Sequence, residues 1–312
     1  SDIKQFKLMF ETSRGTVEGS KDTVYLRPET CQGEYVNFLN VSRTMRAKIP
    51  FAIAQIGKSF RNEITPGNFL FRTIEFEQME LQKFCKDEDS FNIYEDYKKR
   101  ALEFVKDIGL DEKKLRYHDH DKLAHYAKAA CDIQYNFPIG WEELNGIHHR
   151  GTWDLSRHSE FSGKKLEYLD PDTNEKFIPT VIEYSIGADR LTLATLCEAY
   201  EEQVLEDGTT REVMHFNPSI SPYKVAVLPL LKKYHSATSM DIYNKLSKHF
   251  VTTYDETGNI GKRYRRQDVI GTPFCITIDD NTLNNNTVTV RDRDTMEQVT
   301  LNLDEAIKYV EE

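Results

Sequence analysis

The first two thirds of the chain alternate between short apolar runs and polar loops, a pattern typical of a sheet with helices at its margin. Residues 23–26, 51–56 and 69–81 are rich in β-branched and aromatic side chains, and they predict strands of a largely antiparallel sheet. Between residues 91 and 108 the apolar positions recur near helical spacing, and Gly109 follows as a stop signal. This segment predicts one amphipathic helix on the periphery of the sheet.

A second pattern begins after a polar stretch at residues 201–211 and a turn-rich segment at residues 217–222. Residues 224–230 predict a buried strand, the apolar positions Ile242, Leu246 and Phe250 predict one face of a helix, and residues 251–254 return to strand character. This order predicts a βαβ unit. Further strands are expected at 274–278, 287–290 and 298–301, with a loop tip at 284–286 and a final helix at 303–310.

The two patterns predict two domains, for which a chain of 312 residues is long enough. We expect an α+β domain over residues 1–217, with an antiparallel sheet flanked by helices. A small α/β domain is then expected over residues 218–312.

Composition restricts the class of protein. With 39% hydrophobic and 29% charged residues the chain resembles an ordinary globular protein rather than a disordered one. No apolar run approaches the roughly 20 residues of a membrane span, and residues 1–5 carry no signal-peptide pattern, so a cytoplasmic location is expected. The five cysteines form no C-x-x-C pair, which predicts buried thiols. A net charge of −10 argues against an unselective nucleic-acid coat, so a nucleic-acid partner would need a local basic patch.

The most informative segment consists of residues 60–63 (FRNE), a loop at 64–70, and residues 71–80 (FRTIEFEQME). It predicts strand, loop and strand. Arg72, Phe76 and Glu80 are four residues apart, so on a strand all three would share one face. A cation, a ring and a carboxylate then form a plausible wall for a nucleotide. Taken alone, each Arg/Glu pair is more often a solvated ion pair.

These residues resemble the second signature motif of class II aminoacyl-tRNA synthetases. Further segments resemble the dimeric glycyl-tRNA synthetases, and they follow the order of that family through nearly the whole chain: residues 25–33 (YLRPETCQG), 54–57 (AQIG), 76–80 (FEQME), 182–190 (IEYSIGADR) and 291–298 (RDRDTMEQ). The resemblance implies a class II catalytic domain followed by an anticodon-binding domain, and ATP-dependent ligation of glycine to tRNA(Gly) through glycyl-adenylate.

The resemblance also implies roles for individual residues. Arg61 and Arg190 would be catalytic, with Arg61 on the α-phosphate of ATP. Phe76 would stack on adenine, Arg190 would cover the other face of adenine or reach the terminal phosphate, and Glu63 would accept from the adenine amino group. Glu143 would contact ATP and its magnesium. The implied ATP-binding residues are Arg61, Asn62, Glu63, Phe71, Arg72, Thr73, Ile74, Glu75, Phe76, Glu143, Leu144, Gly187, Ala188, Asp189 and Arg190.

For glycine, the resemblance implies that Glu29 and Glu183 receive the ammonium group. The implied glycine-binding residues are Glu29, Phe76, Glu77, Gln78, Met79, Glu80, Arg150, Glu183, Tyr184, Ser185, Ile186 and Gly187. Since glycine has no side chain to recognise, we expect a crowded pocket that selects by exclusion.

The basic segment at residues 261–267 (GKRYRRQ) suits phosphate contacts and base stacking. As a bare charge run it would more often be a solvated helix face, but the resemblance favours tRNA contacts by Lys262, Arg263, Arg265 and Arg266.

Several positions depart from the family pattern, namely Ile74, His148, His149, Gly151, Thr152 and Tyr184. The resemblance begins partway into the catalytic domain, without the first signature motif. We therefore expect a piece of a longer, homodimeric protein that catalyses poorly by itself. The alternative is a synthetase-like accessory protein that binds nucleic acid or a polymerase without activating an amino acid.

Overall fold

The computed structural model describes residues 7–17, 19 and 21–311. Residues 1–5, to which the signal-peptide expectation applies, lie outside this part. The chain divides into two compact units, one ending at Ala194 and the other beginning at Thr195. The domain boundary after residue 217 stays a prediction. Within the described part of the chain, no helix has the length and apolar character needed to cross a membrane.

The central element of the first unit is a six-stranded sheet in the order β3-β4-β10-β7-β6-β5, with every neighbouring pair antiparallel. This confirms the predicted antiparallel sheet for residues 51–56 and for most of 69–81, whereas the strand predicted at residues 23–26 is not part of it. The hairpins β1-β2 and β8-β9 are separate from it. The strands of this unit are β1 (Glu11–Arg14), β2 (Asp22–Tyr25), β3 (Phe51–Phe60), β4 (Glu75–Cys85), β5 (Leu115–Asp119), β6 (Ala129–Phe137), β7 (Gly140–Gly151), β8 (Tyr168–Leu169), β9 (Lys176–Phe177) and β10 (Thr180–Gly187).

Three helices contact strands of this sheet, namely α1 (Cys31–Thr44), α2 (Asp87–Asp107) and α3 (Trp153–Ser162). Helix α4 (Ala188–Ala199) follows β10 directly and continues into the second unit, and a short 3-10 helix spans Glu112–Lys114. The predicted helix is α2, which starts four residues earlier because three acidic residues in its first turn favour the positive end of the helix dipole. It ends before Gly109, whose φ of 105° requires glycine. The core between α1 and the sheet includes Phe38 and Phe84, whose ring centroids are 4.7 Å apart.

One strand prediction was wrong at its start. Residues 69–74 do not belong to β4, since Asn68 and Phe69 adopt positive φ and Gly67 pairs with Arg72 in an isolated bridge. Arg72 therefore lies on a loop, and only Phe76 and Glu80 share the predicted strand face.

The second unit has a five-stranded sheet in the order β14-β13-β15-β16-β17. The predicted βαβ unit is confirmed, because β13 and β14 pair in parallel with α5 between them. The elements are β11 (Tyr200–Val204), β12 (Thr210–Met214), β13 (Val225–Pro229), α5 (Lys232–Leu246), β14 (Thr252–Tyr254), α6 (Ile260–Ile270), β15 (Phe274–Ile278), α7 (Asp280–Asn285), β16 (Thr287–Asp292), β17 (Gln298–Asn302) and α8 (Leu303–Glu311).

Three expectations need correction. The polar stretch 201–211 is part of the β11-β12 hairpin. The expected loop tip is wrong, since Asn284 and Asn285 end α7, and only Asn286 caps it in the left-handed conformation. Of the cysteines, Cys197 is half-buried, whereas Cys31, Cys85, Cys131 and Cys275 are buried free thiols as predicted.

Candidate active site

Strands β4 and β10 form the floor of a pocket of about 210 Å³ in the first unit. Their register places Glu183 opposite Gln82, Ser185 opposite Glu80 and Gly187 opposite Gln78. Because successive side chains of a strand alternate between faces, these residues face the pocket side of the sheet together.

Most of the residues expected from the sequence line this pocket: Glu29, Arg61, Glu63, Phe71, Arg72, Thr73, Phe76, Gln78, Glu80, Glu143, Leu144, Arg150, Glu183, Ser185, Gly187, Asp189 and Arg190. Others are not among its lining residues: Asn62, Ile74, Glu75, Glu77, Met79, Tyr184, Ile186 and Ala188. Strand alternation accounts for Glu75, Glu77, Met79, Tyr184 and Ile186, which lie on the opposite face of β4 or β10. On that face the Tyr184 hydroxyl accepts a hydrogen bond from Asn145 at 3.0 Å.

Two arginines with neighbouring rings form one end of the pocket. The guanidinium carbon of Arg61 lies 5.4 Å from the centroid of Phe76, and its Nε donates to the carbonyl of Pro28 at 3.0 Å. The guanidinium of Arg190 lies 4.3 Å from the centroid of Phe71, whose carbonyl accepts from its Nε at 3.0 Å. Both cations are therefore held in place by aromatic and backbone contacts.

Two carboxylates near this end pair with arginines. Glu143 accepts from Arg190 Nη1 at 3.2 Å through its side chain and at 3.0 Å through its carbonyl. Glu63 Oε2 lies 3.3 Å from Arg72 Nη1. This end of the pocket combines flat rings, cations and oxygen donors, which is the chemistry that a nucleotide with its phosphates requires.

The other end contains the buried carboxylate of Glu183, which is only 3% exposed. It accepts from Nδ1 of His148 at 2.9 Å, from Nη1 of Arg150 at 3.0 Å and from Nε2 of Gln82 at 2.7 Å. Arg150 also donates to both oxygens of Asp154, at 2.7 and 3.0 Å. Burial by itself would raise the pKa of Glu183, but His148 and Arg150 hold it well below its ordinary value.

Glu80, next to it, is equally buried but has a different environment. Its carboxylate accepts from the backbone and hydroxyl of Thr30 and from Nε2 of Gln78, and no Lys, Arg or His of the described residues forms an ion pair with it. Burial, and then repulsion by Glu183, raise its pKa to about 7. Glu80 is thus a buried acid, open to a pocket, that lacks a cation.

The sequence reasoning missed two functional candidates in this pocket. Tyr126 places its ring 4.3 Å from the guanidinium carbon of Arg150, and no motif surrounds it. In the sequence His148 is only a departure from the family pattern, and its pairing with Glu183 follows from the register of β7 against β10. The adjacent His149 is on the other face of β7, where its Nε2 lies 2.9 Å from Ser90 Oγ.

The expected basic patch lies on α6 of the second unit. Lys262, Arg265 and Arg266 are exposed, and Arg266 is paired with Asp255. The structure does not bring Arg263 to the surface: it is 2% exposed, and its guanidinium donates to the carbonyls of Pro229, Glu256 and Gly258. The expectation of a tRNA contact for Arg263 conflicts with this burial.

Comparison with known proteins agrees with this arrangement. Residues 10–200 match the family described as tRNA synthetase class II core domain (G, H, P, S and T), and residues 224–312 match the anticodon binding domain. The chain is 53% identical to a glycine–tRNA ligase of Mycoplasmopsis synoviae over 313 residues, which cover 99% of this chain and 69% of the relative. It is 56% identical to a glycine–tRNA ligase of Geobacillus kaustophilus, with 100% of this chain and 68% of the relative covered. The chain therefore belongs to the glycine–tRNA ligase family of class II tRNA synthetases.

Proposed function

We propose that this chain ligates glycine to tRNA(Gly) with ATP, through a glycyl-adenylate intermediate. One observation carries the proposal: the Arg61–Phe76 and Arg190–Phe71 pairs line the same pocket as the buried carboxylates of the β4-β10 floor. A nucleotide and a small ammonium compound fit these two ends. The names of the relatives support the same activity.

Glu80 and Glu29 receive the glycine ammonium group in this proposal. Glu80 is buried and has no cationic partner among the residues that the structure describes, so a bound ammonium group supplies the charge that it lacks. Glu29 lines the same pocket and is half-buried. Glu183, which the family resemblance also assigns to the ammonium, is already neutralised by Arg150 and His148, and it contributes a weaker attraction. The small space excludes the methyl group of alanine.

At the other end Phe76 stacks on adenine, Glu63 accepts from its amino group, and Arg61 and Arg190 bind the phosphates. Glu143 would hold magnesium, since its carboxylate is half-exposed in the pocket and is the kind of oxygen ligand that this ion prefers. Bound magnesium would neutralise phosphate charge. Arg61 stabilises the charge that develops on the α-phosphate, which is often the largest catalytic contribution.

In the first step a glycine carboxylate oxygen forms a bond to the α-phosphorus of ATP while the bond to the bridging oxygen breaks. Pyrophosphate leaves with that electron pair. In the second step a ribose hydroxyl of the tRNA terminus attacks the glycyl carbonyl carbon, and AMP leaves. Arg61 acts in the first step because it is fixed by Pro28 and Phe76 before the substrates react.

The second unit binds tRNA(Gly) in this proposal through the exposed cations Lys262, Arg265 and Arg266 of α6. The match of residues 224–312 to the anticodon binding domain supports this assignment. The proposal further includes that the full-length protein forms a homodimer and is located in the cytoplasm, as the family resemblance implies.

The test is glycine-dependent exchange of pyrophosphate into ATP by the full-length protein, with alanine and serine in parallel reactions. We expect exchange with glycine alone. A folded Arg61→Ala variant is expected to lose about 10²- to 10³-fold in rate, because a contact to developing charge is removed. Binding of tRNA without exchange by the wild type would instead support the accessory-protein function.

A further inference from the structure

His148 lies between the proposed glycine subsite and the Asp132–His120 pair, which the proposed mechanism does not use. In the register of the sheet, His148 of β7 lies opposite Glu183 of β10, and Gly146 of β7 lies opposite Asp132 of β6. Nδ1 of His148 is 2.9 Å from Glu183 Oε1. On the far side, Asp132 Oδ2 is 2.7 Å from Nε2 of His120.

The other nitrogen of His148 faces Asp132 across Gly146. A Cβ atom added at Gly146 would lie 3.3 Å from Nε2 of His148 and 3.5 Å from Oδ1 of Asp132, and only 2.7 Å from the His148 ring carbon Cε1. A glycine at this position therefore allows the imidazole to lie between two carboxylates. Glu183 is bonded to one nitrogen of the ring, and Asp132 is near the other.

Charged groups face His148 from each strand around it: Glu183 on β10, Asp132 on β6, and Arg150 on its own strand. Asp132 is also influenced by Glu143 and His120. Burial opposes protonation of His148, but the hydrogen bond and the charge of Glu183 outweigh it, so its pKa is raised above the ordinary value.

We propose that His148 is a positioning residue that sets the charge balance around Glu183 and thereby makes the affinity for glycine depend on pH. This inference rests on the proposed function. When His148 is protonated, it and Arg150 together neutralise Glu183, and its charge repels the glycine ammonium group. When it loses its proton, Nδ1–H still holds Glu183, but the pocket carries one positive charge fewer. Glycine then binds more tightly.

The experiment compares the KM for glycine of the wild type and of His148→Asn between pH 6 and pH 9, by pyrophosphate exchange with the full-length protein. Asparagine is chosen because its Nδ2 can occupy the place of the imidazole Nδ1 without a charge. We expect the ratio of KM, wild type to variant, to be about three to ten at pH 6 and near one at pH 9. Glu80, whose pKa is about 7, titrates in both proteins, so it largely cancels in the ratio.

Two further variants sharpen the test. Asp132→Asn removes the second carboxylate near the His148 imidazole, which then loses its proton at a lower pH. The pH at which KM for glycine changes is therefore expected to be lower in this variant, while His148 itself is unaltered. His249 is an exposed histidine of the second unit. For the control variant His249→Asn, the ratio of KM for glycine, wild type to variant, is expected to be one at every pH.

Two results would overturn the inference and leave His148 a merely structural residue. One is a ratio of KM, wild type to His148→Asn, that stays constant from pH 6 to pH 9. The other is a pH profile of KM in Asp132→Asn that equals the profile of the wild type. If His148→Asn does not fold, the Asp132→Asn profile decides alone. Absence of glycine-dependent exchange by the wild type at every pH is a different result, since it refutes the proposed function and the inference together.

Discussion

Each unit of the chain buries a cluster of charged side chains, and the two clusters are built in opposite ways. In the first unit, Glu80 and Glu183 are buried beside a pocket, and Arg150 and His148 are ion-pair partners of Glu183 but not of Glu80. Arg150 also pairs with Asp154. In the second unit, Asp268 is fully buried and is surrounded by cations, with Arg291 at 2.8 Å and Arg211 at 3.2 Å. One cluster has acids in excess, and the other has arginines in excess.

The difference shows how a binding site can be told from a structural ion pair. The arginine N–H groups near Asp268 that do not bind its carboxylate donate to backbone carbonyls. Arg211 donates to the carbonyl of Arg293 at 3.1 Å, and Arg293 donates to the carbonyl of Gly271 at 2.9 Å. Within the described part of the chain, Glu80 has no cationic partner of this kind, and it faces a pocket. Since a buried charge without a counter-charge is costly, an open cluster that lacks a cation is suited to bind one.

The largest expected effect is on stability in the closed cluster. Asp268→Asn leaves buried guanidinium groups without their anion and should lower the free energy of unfolding by about 3–5 kcal/mol. Urea denaturation measures the loss. Asp255→Asn, which breaks the more exposed pair with Arg266, is the control and should cost about 1 kcal/mol or less. If Asp268→Asn and Asp255→Asn lower the free energy of unfolding equally, the distinction between the buried and the exposed ion pairs is wrong.

In the open cluster the expected effect is on activity. Glu80→Gln keeps an oxygen for the Thr30 donors but removes the charge, so kcat/KM for glycine should fall about 100-fold with little loss of stability. Pyrophosphate exchange and thermal unfolding are measured on the same preparation, with exposed Glu103→Gln as the control. A large loss of stability with unchanged kcat/KM would assign Glu80 to the fold instead.

Glu34 of α1 adds a further acid near the open cluster. It is 1% exposed, neither oxygen has a hydrogen-bond partner among the described residues, and burial, followed by repulsion from Glu80 and Glu183, raises its pKa to about 9. The folded protein therefore holds a proton that the unfolded chain releases above its ordinary pKa of about 4.5. Stability should fall as the pH rises from about 4.5 to about 9.

Glu34→Gln removes this dependence. We expect its free energy of unfolding at pH 8 to exceed that of the wild type by about 1–3 kcal/mol, and the gain to vanish near pH 4. Denaturant unfolding at both pH values tests this, with Glu103→Gln again as the control. A gain of the same size at pH 4 would show that the charge of Glu34 is not its cause.

The sequence could predict elements wherever the apolar pattern was continuous. Strand β15 has the predicted bounds, and α8 differs by one residue, because buried runs and a helical face are local signals. The prediction for Arg72 is wrong because positive φ at Asn68 and Phe69, which the apolar pattern does not show, delays the start of β4. His148 needs the register of β7 against β10, which is a property of the assembled sheet.

The same limit applies to α6, where one run of basic residues serves two purposes. Arg263 and Gln267 are one helical turn apart and both are buried, so the helix directs one arginine inward and leaves Lys262 and Arg265 outside. A charge run by itself does not distinguish these directions. Its helical period does, once Asn259 and Gly271 are recognised as the caps.

The smallest expected effect concerns the exposed cations Lys262 and Arg265, the second of which also lies 3.5 Å from Asp268. Lys262→Gln and Arg265→Gln should each weaken binding of tRNA(Gly) by a few-fold and reduce the slope of log Kd against log salt by about one, because each removes a single phosphate contact. Filter binding over a series of salt concentrations measures both quantities, and glycine-dependent pyrophosphate exchange without tRNA should not change. Arg263→Gln is the informative contrast: its guanidinium is bonded to backbone carbonyls, so this variant should lose stability while the folded protein keeps the salt slope of the wild type. If Arg263→Gln alters the slope and the two surface variants do not, the cations that contact tRNA are not those exposed on α6.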